Sequence, residues 1–314
     1  MNKEGIVIKS TGSWYQVLIQ QEVIACRIKG KFKLKEFKLT NPVAVGDHVV
    51  IEMNATTNES TIIEILPRKN YVLRRSTRQK HLMHLIASNI DQAFLVTSIK
   101  KPTVKPGFID RFLLSTLSYD IPSWILFNKS DLYDSEDYEL FQILQNIYEN
   151  AGYNCLLVSV YDAESLSRLE KLIQGKTSLF SGHSGVGKST LINHFHPMAE
   201  LKTGEISQYS EKGMHTTTFA EMFEIKEKTR IIDTPGIKEM GFLNMEKQDV
   251  AHNYQEFFEF SKNCKFNDCL HLNEPGCAVK EAIESGNIHE LRYQSYMSIL
   301  EEIENQKYWE IQED

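Results

Sequence analysis

With 314 residues, 41% of them hydrophobic and 25% charged, the chain has the composition of a soluble globular protein with room for two or three cores. It contains no run of about 18 uninterrupted apolar residues, which excludes a membrane-spanning helix, and its start, MNKEGIVIKSTGSWYQ, lacks the pattern of an export signal; a cytoplasmic, reducing location is expected. The net charge of −7 excludes a uniformly basic nucleic-acid-binding chain, yet it is uneven: residues 1–80 hold 14 Lys and Arg against 7 Asp and Glu, so the remainder carries −14.

Residues 1–70 read as five short strands with period-2 alternation, GIVIKS, WYQVLIQ, EVIACRIKG, HVVIEMN and TIIEILP, punctuated by GDH at 46–48 and NATTNES at 54–60. Five strands in that length predict a small β-barrel of the OB type. Within it, RIKGKFKLKEFK at 27–38 alternates basic with apolar; at its end Pro67 begins a basic connector, PRKNYVLRRSTRQK at 67–80, with six basic residues and no acid. These segments are either solvated faces or a surface for phosphate backbone, which needs such local density.

From about residue 88 the pattern becomes α/β. Apolar runs at 92–98, 124–128, 155–160, 177–181 and 230–233 alternate with predicted helices near 107–118, 135–151, 163–173 and 187–195, implying a mainly parallel sheet covered on both faces. This second domain is expected to span 71–243. The third, 244–314, is helical around a Cys/His cluster.

Residues 182–189, GHSGVGKS, follow a short strand and open a helix, the context a phosphate-binding loop requires. The run Gly182, His183, Ser184, Gly185, Val186, Gly187, Lys188, Ser189 and Thr190 is expected to cradle phosphates with backbone N–H groups at a helix N-terminus. Lys188 would reach the β- and γ-phosphates and Ser189 would ligate Mg²⁺. Residues 128–131, NKSD, supply a guanine-binding set: Asp131 accepts from N1–H and the exocyclic amine, which adenine cannot match, Asn128 bonds the other edge, and the Lys129 stem covers the ring, with Ser130 between them. Ser159 is a further base contact. In DTPG at 233–236, Asp233 would hold the Mg²⁺ water shell and the Gly236 amide would sense the γ-phosphate. In GMHTTTF at 213–219, Thr217 is the expected Mg²⁺ ligand, with Thr216 and Thr218 as alternatives.

Cys264, Cys269, His271 and Cys277 fall within 14 residues, a set suited to tetrahedral, structural Zn²⁺. The other two cysteines, Cys26 and Cys155, sit in apolar runs and read as core thiols.

The guanine motif precedes the phosphate loop, the reverse of the usual order. Through NKSD, GHSGVGKST, GMHTTTF, DTPG and C-x4-C-x-H-x5-C behind a β-rich N-terminal segment, almost the whole chain resembles the circularly permuted GTPases of ribosome biogenesis, the RsgA (YjeQ) family. The resemblance implies a GTPase that binds the small ribosomal subunit and its rRNA late in assembly, with weak hydrolysis stimulated by that subunit, and it is read as a monomer. Ile237 follows DTPG where a Ras-like enzyme has the Gln that orients water, so slow unassisted hydrolysis is expected. The resemblance points to His215 for that task, with His183 as competitor. The alternative is a GTP-dependent rRNA-binding module in which hydrolysis is incidental.

Overall fold

The computed structural model describes residues 2–28, 41–53, 60–75, 83–199, 201, 220–226, 228–234 and 245–311. Strands β1 (Asn2–Ser10), β2 (Tyr15–Ile19), β3 (Glu22–Ile28), β4 (His48–Met53) and β5 (Ser60–Ile65) close into a barrel in the order β1-β2-β3-β5-β4, with β4 returning to β1. The β3–β5 pairing is parallel and the others are antiparallel. Alternation drives the closure: Val7, Tyr15, Val17, Cys26, Val49, Ile51 and Ile62 point inward and pack as one core. The predicted barrel is therefore present. Most of the basic run at 27–38 lies outside the described residues.

The stretch read as a basic connector holds a hairpin instead, β6 (Tyr71–Arg75) paired antiparallel with β7 (Met83–Ser88). Its apolar residues Leu73, Met83 and Leu85 pack on Ala44. Beside it, the carboxylate of Asp47 joins the barrel to the hairpin and the segment leading into it. It is fully buried and accepts from Arg68 Nε at 2.6 Å, Arg68 NH2 at 2.7 Å, Ser88 Oγ at 2.6 Å and the Ala44 amide at 2.8 Å. Gly46 is required there, because its φ is +95° and a Cβ would lie 2.1 Å from the Ser88 carbonyl oxygen.

The following sheet runs β10-β9-β8-β11-β13-β12, built from β8 (Gln92–Thr97), β9 (Ser123–Asn128), β10 (Asn154–Val158), β11 (Thr177–Gly182), β12 (Glu221–Lys226) and β13 (Thr229–Asp233). Five of these strands are parallel, and β12 runs antiparallel on the β13 edge. Helices α1 (Pro106–Leu117), α2 (Ser135–Asn150), α3 (Ala163–Ile173) and α4 (Lys188–Phe195) cover its two faces over separate apolar clusters. The chain winds outward from β8 through β9 to β10, then crosses back to β11 on the other side of β8. That reversal creates a crevice at the carboxyl ends of β8 and β11, the position where open α/β sheets bind ligands. β12 also touches β1, where Lys9 pairs with Glu221 at 2.9 Å and makes barrel and sheet continuous.

The C-terminal segment is helical: α5 (Lys247–Asn253), α6 (Gln255–Ser261), α7 (Ala278–Glu284) and α8 (Glu290–Ile311). The stretch MEKQDVAHNYQEFFEFSK is helical in two pieces parted at Tyr254, whose φ of −82° and ψ of 100° end α5 and turn the chain. Tyr254, Phe257, Tyr296, Ile299 and Leu300 form its core together with Leu114 of α1. No helix among the described residues is long and apolar enough to cross a membrane.

Candidate nucleotide site and metal centre

The phosphate loop leaves β11 and enters α4. Gly182 at its start lies against β8, where a Cβ would sit 2.3 Å from the Val96 carbonyl oxygen. Gly187 caps α4 with φ +90°, and a Cβ there would meet Asn128 Nδ2 at 2.4 Å. These two positions admit only glycine, so the loop is drawn tight enough for its amides to converge at the helix start.

NKSD leaves β9 on the neighbouring side and bonds directly to that loop. Asn128 Nδ2 donates to the Val186 carbonyl at 2.9 Å. Lys129, held at φ 65°, extends its ammonium to the carbonyls of Gly185 at 2.5 Å and Lys101 at 2.8 Å. Burial lowers the Lys129 pKa, partly offset by Asp131. From the end of β10, the buried Ser159 hydroxyl donates to Asp131 Oδ1 at 2.5 Å and accepts from the Tyr161 amide at 3.1 Å. The Asp131 carboxylate itself is exposed at the mouth of the crevice, while Asn128 Oδ1 is buried without a partner. Buried polar atoms are seldom left so, and one at a crevice floor suits a site completed by a ligand.

At the far side, Lys188 Nζ forms an ion pair with Asp233 Oδ1, both buried, at the carboxyl end of β13. Thr234 Oγ1 donates to the Phe180 carbonyl at 3.0 Å and ties β13 to β11. Ser189 is half-buried in the first turn of α4, and Ser184, Gly185 and Thr190 are exposed around the loop. The His183 ring stacks on Phe108 of α1, centroids 3.6 Å apart at 29°. Thus Asn128, Lys129, Asp131, Ser159, the 182–190 loop and Asp233 meet in one crevice although the chain supplies them in four separate stretches. Ser130 opens a short 3-10 turn beside them. His215, Thr216, Thr217, Thr218, Gly236 and Ile237 lie outside the described residues. Phe108 and the Lys101 carbonyl belong to the same surroundings but carry no local motif, so sequence reasoning missed them.

Cys264, Cys269, His271 and Cys277 also come together, their ligand atoms all within 4.8 Å of one another. The Cys264 and Cys277 sulfurs are 4.0 Å apart, and His271 Nδ1 lies 3.8 Å and 3.4 Å from them. A tetrahedron with Zn–S near 2.3 Å has S···S edges of about 3.8 Å, so four donors at these separations fit one ion with no open position. The loop is fixed from outside: Tyr293 and Tyr296 hydroxyls donate to the carbonyls of His271 and Leu270, each at 2.8 Å, and Glu274 accepts from the Leu270 and Leu272 amides at 2.9 and 2.7 Å. Gly276, in EPG at 274–276 and at φ +70°, turns the chain so that Cys277 faces back.

A phosphate loop, a guanine motif and an Asp-Thr pair on this sheet, reached in the order 128, 182, 233, define a P-loop GTPase with permuted strands. The chain belongs to the RsgA GTPase family: residues 65–243 match the RsgA GTPase family and residues 4–62 match the RsgA N-terminal domain. It is 48% identical over 306 residues, 97% of this chain and 98% of the other, to a protein of Bacteroides fragilis named small ribosomal subunit biogenesis GTPase RsgA. Two solved structures are similar across nearly the whole length. One, described as YloQ, a circularly permuted GTPase, has a TM-score of 0.72 and 32% identity, covering 98% of this chain and 96% of that one. The other, YjeQ from Thermotoga maritima, has a TM-score of 0.75 and 31% identity, covering 96% and 98%. The chain is accordingly a GTP hydrolase.

Proposed function

We propose that this GTPase binds the small ribosomal subunit, acts late in its maturation in the cytoplasm as a monomer, and hydrolyses GTP fully only on that partner. The observation carrying the reading is the bonded crevice in which Asn128 and Lys129 contact the phosphate loop while Lys188 meets Asp233. It rests further on the relatives, whose name assigns them to small-subunit biogenesis.

Within that reading, Asp131 accepts from the guanine N1–H and exocyclic amine, with Ser159 fixing its oxygen. Asn128 keeps a second N–H for the other edge of the base. Lys129 and Ser130 line the ring side, and the amides from Gly182 to Thr190 surround the phosphates. Lys188 neutralises charge on the β- and γ-phosphates, and Ser189 with Thr217 would hold Mg²⁺, whose role is to neutralise phosphate charge. Asp233 would help to hold that ion, and the Gly236 amide would sense the γ-phosphate. With isoleucine at 237, no amide side chain orients the attacking water after DTPG, and His215 takes that task once the subunit orders its loop. The division at 70/71 and 243/244 belongs to the same reading: barrel and helical unit grip rRNA, and the sheet between them times release. Zinc in the four-ligand loop is structural.

The test is GTP turnover with and without purified small subunits, at low and high salt. Stimulation that fades with salt is expected, because phosphate contacts dominate RNA binding. An unchanged rate at both salts rejects the reading.

A further inference from the structure

We propose that Phe108 is a positioning residue for the phosphate loop and that α1 conveys to it the seating of the C-terminal helical unit. This rests on the nucleotide reading of residues 182–190 and concerns what holds that loop still.

The loop's second residue, His183, has its ring stacked on Phe108. Two residues further along α1, buried Asp110 pairs with buried Arg292 of α8, 182 residues away in the chain. Arg292 turns its other edge to Glu256 of α6, donating from Nε at 2.6 Å and from NH2 at 3.2 Å. Its guanidinium carbon lies 4.5 Å from the Tyr254 ring centroid, 5.4 Å from Tyr148 and 5.6 Å from Tyr153. Burial alone would lower the Arg292 pKa, but Asp110 and Glu256 outweigh it and the group stays charged. The next residue of α1, Arg111, pairs with Glu302 of α8, and Leu114 is packed in the core that contains Cys269 and Cys277.

One twelve-residue helix therefore touches the phosphate loop at its first turn and the helical unit at its next two. A buried charge cannot slide away from its partners cheaply, so α1 and α8 move as one piece. At about 1.5 Å per residue, Phe108 sits only about 3 Å along the axis from Asp110. Displacement of the helical unit is therefore delivered to the stack nearly undiminished. Catalytic geometry tolerates little of this, since about 1 Å of misplacement can cost about 100-fold in rate. Coupling of this kind is reciprocal: nucleotide that fixes the loop must also favour one seating of the helical unit.

A double-mutant cycle on the full chain tests it, with Kd for Mg·GDP measured by calorimetry. Phe108→Ala should weaken binding about fivefold, and Phe108→Tyr, which keeps the ring, should stay within about twofold of wild type. Glu256→Gln leaves Asp110 opposite Arg292 and should weaken binding about threefold in the wild-type background, yet change nothing beside Phe108→Ala. His183→Ala removes the other half of the stack and serves in the cycle if Phe108→Ala misfolds. Equal Glu256→Gln effects in both backgrounds, or wild-type affinity in Phe108→Ala, would overturn the proposal while leaving the nucleotide reading intact. A wild-type chain that takes up no GDP would remove that reading, and this proposal with it.

Discussion

Lys188 and Asp233 neutralise each other across the carboxyl ends of β11 and β13, one at the start of α4 and the other at the end of its strand. Neither can leave its partner bare in so buried a place, and on the proposed reading Mg·GTP would offer each a new one: phosphate for Lys188 and the metal's surroundings for Asp233. Asp233→Asn should keep the shape and a hydrogen bond while losing its hold on those surroundings. GTP affinity with Mg²⁺ should fall about 10- to 100-fold, the usual effect of deleting an outer metal partner, with little change in its absence. Calorimetric titration with Mg²⁺ and with a chelator present checks this, and an equal loss under both conditions argues against it.

Base selection is expected to reside in Asp131. Its carboxylate, steadied by Ser159, offers two acceptors to a donor pair on guanine. Asp131→Asn replaces one acceptor with an N–H, which suits the 2-oxo group of xanthine and opposes the 2-amino group of guanine. A bidentate base contact is worth about 1–3 kcal/mol, so GDP should weaken by about 10- to 100-fold while XDP improves. Competition between the two nucleotides reads the reversal directly. Unchanged preference would place base recognition elsewhere.

His215 is assigned only the stimulated reaction. His215→Ala should lower the subunit-stimulated rate by about 100-fold, within the range for a positioned general acid–base group, without altering GDP affinity. Full stimulated turnover in that variant would return the task to another group.

The metal loop ties α6 to α7, and Cys269 and Cys277 sit in the same core as Tyr254 and Tyr296. One zinc per chain is expected by elemental analysis. Cys277→Ser should lose it and reduce the helical signal in circular dichroism, because a small unit of this kind gains its folding energy from the ion. A chain with full helicity and no zinc would contradict the structural role.

The nucleotide crevice was legible because each of its loops is local: a few residues of fixed chemistry at a strand end, readable wherever the strand falls in the order. Apolar runs likewise gave β8, β9, β11 and β13, since strands buried on both faces are continuous in sequence, and they gave the edge strand β10 because its run NCLLV is apolar although only partly buried. Elements with mixed composition escaped. β12, EMFEIK, lies between β13 and β1 and mixes charged with apolar residues, and Val72 and Leu73 of β6 were masked by the arginines around them. The split at Tyr254 depends on tertiary packing of that ring. Arg292 had no signal at all: a lone arginine in a polar helix reads as solvent-facing, and its partner Asp110 is 182 residues distant.

Cys26 and Cys155 differ in exposure: Cys26 is buried, whereas Cys155 is only partly covered. Burial nevertheless pushes both thiols up, Cys26 to about 11 and Cys155 to about 12, the latter with help from Glu149. The thiolate is the nucleophile, so at pH 8 only about one molecule in a thousand or fewer has either group reactive. A thiol has to lose its proton to react, so labelling of the folded, zinc-loaded chain by a disulfide reagent should be slow at pH 8. It should then rise about tenfold per pH unit without levelling off before pH 10. Denaturant should release all five cysteines at once. Rapid labelling of Cys155 at pH 8 in the native chain, located by peptide mapping, would show that its partial exposure outweighs its desolvation.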